Sequence, residues 1–519
     1  MKKEGYLFGA MILLISNFLI KILGFLYRVI LVRFLGAEGI GLIEMVNPFY
    51  TFILVLTTWG IPLAMSKMIA QETAEGNWGN INRIFRLTLI LLTASGLITT
   101  TLVIYFAPVI VKHFVPDSRI YYCFVTMIPA IFLVAVCSVY RAYFQGTKQI
   151  SAIGFSQTIE QIIRVIVGLT LTIKLRKYGL EIAVVGVAVA SVAGELGGLL
   201  FMLAKYHWQK RRSKVLLPAP ATSSSLSILK GLFTFGTPVT LTRLLSSTLL
   251  TLEASLIPRG LILAGNSMRT ATEIYGRYSG VAMTLLHLPS IITMSLAVSV
   301  MPAVAELSAG GQKKLLEHRI TESLWITSAF TIHSMTILFF YATELCGLVF
   351  HAPEAGEALK VLALGGLFCY LQQTMNSILQ GLGRVKMLLF NNLCSGLCLI
   401  LGIMLLTPVK GLEIKGAAIA LSLSNFTGCT LNIFYLMKFT GIALPLNKII
   451  IKPMISGMIS LSALMLLDHW LRPIINNLPL TILLLIGLTS LLYFGILLMI
   501  GGLPLHTLKR LPFFNKWLS

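Results

Sequence analysis

Long apolar stretches separated by short polar connections follow one another along the whole chain. Fourteen of them have about 20 residues or more, the length that an α-helix needs to cross the hydrocarbon layer of a membrane. The sequence therefore predicts an all-α membrane protein with about 14 transmembrane helices. The predicted spans are 9–31, 42–70, 84–112, 122–146, 152–174, 181–204, 228–256, 273–301, 321–349, 359–381, 386–409, 415–438, 450–471 and 480–502.

The composition supports a membrane protein with many spans. Of 519 residues, 56% are hydrophobic and only 12% are charged, more apolar than a soluble core requires. The net charge of +22 does not indicate nucleic acid binding, because basic residues of such proteins collect in cytoplasmic loops and near anionic headgroups. Membrane lipids, and no nucleic acid, are therefore the expected surroundings.

Cofactor, metal and enzyme motifs are not found in the sequence. None of the seven cysteines forms a C-x-x-C pair, and no phosphate-binding loop of the G-x-x-x-x-G-K type is present. We therefore expect no cofactor, no metal and no enzymatic activity. The first residues resemble the start of a signal peptide, but the apolar run continues without a cleavage site and predicts an uncleaved first span.

The distribution of basic residues predicts the topology. Lys and Arg are more frequent in the tails and even-numbered loops than in the odd-numbered loops, which favours a multi-pass protein of the cell membrane with both termini in the cytoplasm. The longest polar connection, 205–227, is basic and then rich in Pro and Ser. It predicts a flexible cytoplasmic linker between two halves of the chain.

Short segments recur at a nearly constant spacing and indicate an internal duplication. The segment GLEI at 179–182 recurs at 411–414, Gln-Gly at 145–146 recurs at 380–381, and similar matches follow the same order. Six helices per copy keep both copies in the same orientation, which predicts two pseudo-symmetric lobes around a central, alternately opened site. The predicted domains are 1–204 (helices 1–6), 205–227 (linker), 228–441 (helices 7–12) and 442–519 (helices 13–14 and a cytoplasmic tail).

Two cations lie within the first predicted span. Lys21 is near its middle, and Arg28 follows seven positions later on nearly the same helix face. A cation at this depth costs several kcal/mol unless it faces protein or a wet cavity, so the pattern favours a cavity for an anionic ligand. The alternative is that both side chains reach back to the headgroups, which suits Arg28 better than Lys21.

The internal duplication pairs these charges with others. Helix 1 aligns with helix 7 so that Lys21 corresponds to Arg243, and helix 2 aligns with helix 8 so that Glu44 corresponds to Arg277. Lys21, Arg28, Arg243 and Arg277 are therefore candidate substrate-binding residues. Glu44 and Arg277 are expected to pair as an outer gate when that side closes, whereas the alternative leaves Glu44 among the headgroups.

Further charges and prolines interrupt other spans. Glu160 and Arg164 are four positions apart and can pair within helix 5, with a structural role and a gating role both open. Glu195 and Glu253 have no obvious local partner; for Glu195 we favour packing or a cytoplasmic-side role. Kinks or breaks are expected at Pro48, Pro62, Pro129, Pro238 and Pro289.

These features together resemble a known family of transporters. The run Lys21-Ile-Leu-Gly-Phe followed by Arg33-Phe-Leu-Gly-Ala, the six-plus-six duplication and the two additional helices are similar to the polysaccharide-transporter branch of the multidrug/oligosaccharidyl-lipid/polysaccharide exporter superfamily, which includes the lipid II flippases. The resemblance covers essentially the whole chain. It implies a V-shaped bundle of two lobes that moves undecaprenyl-pyrophosphate-linked sugars outward.

The resemblance also implies roles for single residues. In lipid II flippases, arginines of helices 1, 2 and 8 line the cavity, and Lys21 and Arg277 take the first and last of these places. Tyr27 stands where those flippases have a second Arg, with Arg28 one position later. Helix 2 lacks the usual Arg, and Glu44 only approximates an acidic position of the family.

The resemblance further implies a groove at helices 13 and 14 for the lipid tail. Candidate segments are 449–471 and 480–500, although these helices can equally be structural. A pyrophosphate needs a cationic, wet cleft to replace its hydration, whereas a polyprenyl tail can stay in the lipid.

Three functions are considered. The expected function is flipping of a cell-wall precursor of the peptidoglycan or spore-cortex type by a monomer, with a cell-wall polymerase as an open partner. The alternative is a cation-coupled antiporter for drugs or organic ions of the same superfamily, which would need buried acids as ion sites. A membrane glycosyltransferase would need a large hydrophilic loop with paired carboxylates, and the short loops disfavour it.

Overall fold

The computed structural model describes residues 6–212, 223–475 and 477–501, nearly all of which are helical. No strand occurs among these residues, in agreement with the all-α prediction. Helix α7 continues to Arg212, so the first part of the predicted linker, 205–212, is helical. The central part of the predicted linker, 213–222, and the predicted tail after 501 lie outside the described residues.

The first compact unit contains the described residues up to 262 together with 266–276. A buried cluster that includes Phe85, Cys137 and Tyr140 lies within it. Its helices are α1 (Tyr6–Thr58), α2 (Ile61–Glu75), α3 (Trp78–Phe114), α4 (Tyr121–Met127), α5 (Pro129–Gly146), α6 (Ile150–Leu175), α7 (Leu180–Arg212), α8 (Ser225–Leu263) and α9 (Met268–Tyr275).

The second compact unit contains 263–265 and the described residues from 277 onward. Its buried cluster includes Trp325, Leu371 and Tyr493. After a π-helical segment, 276–282, its helices are α10 (Met283–His287), α11 (Ser290–Ala309), α12 (Lys313–Phe340), α13 (Ala342–Phe350), α14 (Gly356–Gly381), α15 (Val385–Leu406), α16 (Glu413–Thr440), α17 (Lys452–Leu471) and α18 (Leu478–Met499).

The helices agree with the predicted spans in position. Each of the 14 predicted stretches lies largely within helix over the described residues. Nine helices of the described part are long and apolar enough, by length and composition, to cross a membrane. The lengths and apolar composition of these helices therefore support a membrane-spanning protein. The count of 14 spans stays a prediction.

Glycine and proline produce the breaks between helices. No loop separates the first two predicted spans: the chain is helical on both sides of Gly36, whose φ of 72° favours glycine because a Cβ would be strained there. Breaks occur at Pro62, Pro129 and Pro289, where a ring without an N–H begins or precedes a new helix. At Pro48 and Pro238 the helix continues without a break, and a kink at these positions stays a prediction.

Helix boundaries repeat with the spacing seen in the sequence. The left-handed residues Gly179 (φ 119°) and Gly411 (φ 89°) stand at the two GLEI segments. Three further boundaries recur 235 positions apart: the helix starts Trp78 and Lys313, the helix ends Gly146 and Gly381, and the helix starts Ile150 and Val385.

The compact units and the predicted halves divide the chain at different places. Along the sequence, the chain passes from the first unit to the second within 262–277, and α8 belongs almost entirely to the first unit, whereas the sequence predicts halves joined at 205–227. Packing and duplication are different properties, because a duplicated helix can pack against the preceding copy. The domain boundaries drawn from the repeat therefore stay predictions.

Candidate substrate site and its charges

Arg28 and Glu44 form an ion pair across the break at Gly36. The Nη1 atom of Arg28 lies 2.6 Å from Oε1 of Glu44, and Asn47 donates a hydrogen bond to the same oxygen at 3.3 Å. A straight helix would hold residues 16 positions apart about 24 Å from each other. The non-helical Gly36 therefore brings together a predicted substrate cation and a predicted gate acid.

The partners of the predicted gate residues differ from the expected pairing. Glu44 binds Arg28, whereas Nε of Arg277 lies 3.9 Å from Oε2 of Glu354 in the second unit. Arg28, expected to face an anion, thus has its charge balanced by Glu44. The pairing of Glu44 with Arg277 in another conformation stays a prediction.

Lys21 and Arg243 lie on exposed positions of two long helices. Lys21 is exposed near the middle of the α1 segment that precedes Gly36, and Arg243 is exposed within α8. Both belong to the first unit. Exposed cations on apolar helices are costly unless they face a wet cavity or reach headgroups.

Four charged side chains of α5, α6 and α7 form a connected group, here called the charge network. Arg164 Nη2 lies 2.6 Å from Glu160 Oε1 and 3.0 Å from Glu195 Oε1. Arg141 Nη2 lies 2.7 Å from Glu160 Oε2. Glu195 therefore has a partner that the sequence did not reveal, because the ion pair connects two different helices.

Arg141 is the member of the charge network that sequence reasoning missed. It lies within α5, inside the predicted span 122–146, and donates to Ser156 at 3.2 Å as well as to Glu160. The sequence feature that could have identified Arg141 is its position inside an apolar stretch. A cation in such a run requires a nearby acceptor or water.

A second group of charges joins the ends of several elements in the first unit. Arg119 donates to Asp117 at 2.7 Å and to Glu38 at 2.6 Å, and Arg269 Nε lies 3.0 Å from Glu38 Oε2. Thr272 donates to Asp117 at 2.8 Å. Helix α9 is thereby connected to α1 and to the segment after α3.

Two glycines allow α9 to approach α1 closely. A Cβ at Gly41 would collide with the carbonyl oxygen of Thr272, and a Cβ at Gly276 would collide with that of Ala37. The backbones therefore pack directly against each other, as glycine permits between membrane helices.

The carboxyl group of Asp117 lies outside the membrane-spanning segments, and its side chain is 2% exposed. Burial would raise its pKa, but hydrogen bonds from Arg119 and Thr272 outweigh burial and lower the pKa below its usual range. An aspartate with a lowered folded-state pKa adds stability above its unfolded-state pKa. That stability is lost as the pH falls through the folded-state value.

We expect Asp117→Asn to lower the free energy of unfolding by about 1–3 kcal/mol near neutral pH, because Arg119 and Thr272 lose a charged acceptor. Thermal unfolding of the purified protein in detergent measures the effect. The difference between the wild type and the variant should shrink below about pH 4, where the unfolded aspartate gains its proton. The exposed Glu75→Gln is the control, and an unchanged difference at acidic pH would contradict the assignment.

The second unit has a neutral network at related positions. Asn432 donates to Asn376 at 2.8 Å, and Asn391 donates to Asn432 at 2.8 Å. By the spacing of 235, Asn376 corresponds to Arg141 and Asn391 to Ser156. Amides thus occupy, in the second repeat, the region that holds charges in the first.

The last two helices, α17 and α18, present many exposed apolar side chains, including Met458 and Leu483. A cavity of about 750 Å³ opens near the end of α17. Its lining residues are Phe340, Met465, Asp468, His469, Arg472 and Pro473. The exposed apolar side chains of α17 and α18 are suited to contact with lipid. A groove that holds the lipid tail stays a prediction.

Metal ligands are not grouped in the described part of the chain, where no three His, Cys, Asp or Glu side chains come together. The cysteines are all free thiols. The chemistry offered by the described residues is therefore that of ion pairs, hydrogen bonds and apolar surface.

Sequence comparisons identify relatives along most of the chain. The model of the family described as polysaccharide biosynthesis protein matches residues 7–308, and the MatE model matches 279–405. Stage V sporulation protein B of Bacillus subtilis (strain 168) is 31% identical over 421 residues, which are 81% of this chain and 81% of that protein. Lipid II flippase MurJ of the same organism is 23% identical over 484 residues, covering 88% and 86% of the two chains.

Solved structures share the fold at low sequence identity. Lipid II flippase MurJ in an inward closed conformation matches with a TM-score of 0.71 at 15% identity, covering 98% of this chain and 100% of that one. An inward-facing multidrug resistance MATE family transporter matches with a TM-score of 0.69 at 15% identity, covering 81% and 94%.

The resemblance inferred from the first helix and the duplication is thus confirmed at the level of the family. The profile match extends over more than half of the chain, and a relative reaches 31% identity. The chain belongs to the polysaccharide biosynthesis protein family, in the polysaccharide-transporter branch of the multidrug/oligosaccharidyl-lipid/polysaccharide exporter superfamily, and is a membrane transporter rather than an enzyme.

Proposed function

We propose that this transporter flips an undecaprenyl-pyrophosphate-linked cell-wall sugar precursor, of the peptidoglycan or spore-cortex type, outward by alternating access. The observation that carries the proposal is Lys21, an exposed cation near the middle of an apolar helix. A relative named lipid II flippase aligns over 88% of the chain and supports the same substrate class.

The charges of the first unit suit a pyrophosphate head group. Lys21 and Arg243 offer exposed cations, and such groups bind phosphate oxygens through charge-assisted hydrogen bonds. Arg28 is bound by Glu44, so an arriving pyrophosphate would compete with this carboxylate for the guanidinium group.

Apolar surface suits the lipid part of the substrate. The exposed side chains of α17 and α18 allow a polyprenyl tail to remain in the hydrocarbon layer while the head group crosses. We propose that the protein works as a monomer, with a cell-wall polymerase taking over its product.

Native mass spectrometry of the purified protein tests the proposed substrate. We expect retained undecaprenyl-pyrophosphate lipids on the wild type, much less on Lys21→Ala, and wild-type amounts on the exposed control Lys174→Ala. Only bulk phospholipid on all three proteins would reject the proposed substrate.

Antiport of organic cations is the second candidate function. The match of the MatE model to 279–405 and the acids Glu160 and Glu195 within spans favour it. Resistance of cells that express the protein to cationic drugs distinguishes the two functions, because a lipid flippase should confer none.

The proposed orientation has both termini in the cytoplasm. A cysteine at Ser224, exposed just before α8, is expected to react with an impermeant maleimide only from the cytoplasmic side. A cysteine at Ser267, exposed between α8 and α9, is the matched control and should react only from outside. Labelling of Ser224→Cys in intact cells would overturn this orientation.

A further inference from the structure

The two acids of the charge network are held unequally. Glu160 receives a guanidinium on each carboxylate oxygen, from Arg164 at 2.6 Å and from Arg141 at 2.7 Å. Glu195 receives only Arg164 on Oε1, and its Oε2 atom is buried with no hydrogen-bond partner among the described residues. One oxygen of the network is therefore left unsatisfied.

The two carboxyl groups also share one guanidinium nitrogen. Arg164 Nη2 lies 2.6 Å from Glu160 Oε1 and 3.0 Å from Glu195 Oε1, so the two carboxyl groups are close neighbours. A carboxylate can only accept, so a hydrogen bond between two carboxyl groups requires a proton on one of them. The geometry fits a pair that shares one proton, as two close carboxyl groups do elsewhere.

Comparison with the second repeat indicates that the fold does not need these charges. A buried ion pair is weak evidence for stability, since its desolvation can exceed its attraction. Neutral residues fill the corresponding places of the second repeat, at spacings of 235 and 232. These residues are Asn376 for Arg141, Ser395 for Glu160, Leu399 for Arg164 and Thr427 for Glu195.

We propose that the charge network is the proton site of the transporter, that Glu195 takes up and releases one proton in contact with Glu160, and that this proton drives transport. Uptake converts the Glu195 carboxylate into a neutral acid and changes the network from neutral to a single positive charge. The proposal rests on the transporter class of the chain and not on one particular lipid.

A proton fits this site better than a metal cation. Two guanidinium groups stand next to the carboxylates, so a sodium ion would meet two positive charges and few free oxygens. A proton needs no coordination shell and satisfies Glu195 by forming the carboxyl–carboxyl hydrogen bond. Among the described residues, further titratable groups that interact electrostatically with the network are Tyr27 and Tyr50 of α1 and Cys137 of α5.

The site is linked to the helix that carries Lys21. Arg164 Nη1 also donates to Gln161 at 3.3 Å, and the Gln161 amide lies beside Gly24 of α1. The Tyr27 ring of α1 packs against Gly168, one turn after Arg164. A proton on Glu195 weakens its attraction for Arg164, so the Arg164 side chain can shift against this part of α1.

Infrared difference spectroscopy of the full-length protein in lipid tests the site without any substrate. We expect a C=O band of a protonated carboxyl group that appears as the pH is lowered, is lost in Glu195→Gln and moves to a different pH in Glu160→Gln. The exposed Glu75→Gln is the control and should keep the wild-type band. A wild-type band in Glu195→Gln would overturn the proposal.

Folding of the variants is checked by thermal unfolding. If Glu195→Gln does not fold, Glu195→Asp keeps the acid and should shift the frequency of the band, whereas an unchanged band would contradict the assignment.

Flipping in proteoliposomes tests the driving force separately. With the membrane potential held at zero, a pH gradient of one unit is about a tenfold difference in proton activity. For one proton per lipid, we expect a fluorescent undecaprenyl-pyrophosphate sugar to accumulate up to about tenfold in one leaflet over the other. Glu195→Gln should remove this accumulation. Driving by a sodium gradient instead would overturn the proton assignment, whereas absence of flipping together with the expected band would reject only the proposed lipid.

Discussion

Replacing Lys21 by alanine is expected to reduce transport by at least an order of magnitude, to the background level, while protein abundance stays close to that of the wild type. A charge-assisted hydrogen bond contributes about 1.5–3 kcal/mol, and Lys21 is exposed, so its loss removes substrate binding and little packing. Arg243→Ala should have the same effect, because the repeat makes Arg243 the counterpart of Lys21.

Two further variants separate charge from size at this position. Lys21→Arg keeps the cation and should retain part of the transport, and the exposed Lys174→Ala should behave like the wild type. Complementation of a strain that lacks its own flippase gives the readout, with immunoblotting for abundance. Wild-type transport by Lys21→Ala or Arg243→Ala would remove that residue from the substrate site.

Breaking the Arg28–Glu44 ion pair is expected to give the second largest loss. Their side chains are 22% and 15% exposed, so an unpaired charge at either position costs part of the 3–5 kcal/mol typical of a fully buried pair. Glu44→Arg places two cations together at the break at Gly36 and should abolish transport. Arg28→Glu should do the same with two acids.

The double swap Arg28→Glu with Glu44→Arg restores opposite charges and is expected to recover measurable transport. The alternative partner is tested in parallel by combining Glu44→Arg with Arg277→Glu, which recovers transport if the predicted outer gate forms. Recovery by neither double variant would mean that Glu44 acts by itself, and both pairings would then be rejected.

Sequence reasoning located the helices because their signal is local. A run of about 20 apolar residues is sufficient for a helix in a membrane, and the GLEI repeats are visible in the letters alone. The Glu160–Arg164 ion pair could also be anticipated, since residues four apart meet on one helix face. The break at Gly36 could not be predicted in this way, because it depends on a φ of 72° at one residue within a long helical stretch.

The contacts between helices could not be read from spacing. Glu195 was expected to lack a local partner, yet it binds Arg164, 31 positions earlier on a neighbouring helix. Arg28 was predicted to bind substrate and Glu44 to form a gate, and the break at Gly36 brings the two side chains into contact. Arg141 was missed for the same reason, because its acceptor Glu160 lies on the next helix.

Flipping of a fluorescent undecaprenyl-pyrophosphate disaccharide in proteoliposomes tests the central claim most directly. An impermeant quencher reports how much lipid reaches the opposite leaflet. The account predicts saturable transfer by the wild type and by Lys174→Ala, and transfer at the level of protein-free vesicles by Lys21→Ala. Equal transfer by Lys21→Ala and the wild type, or transfer of an organic cation but not of the lipid, would contradict it.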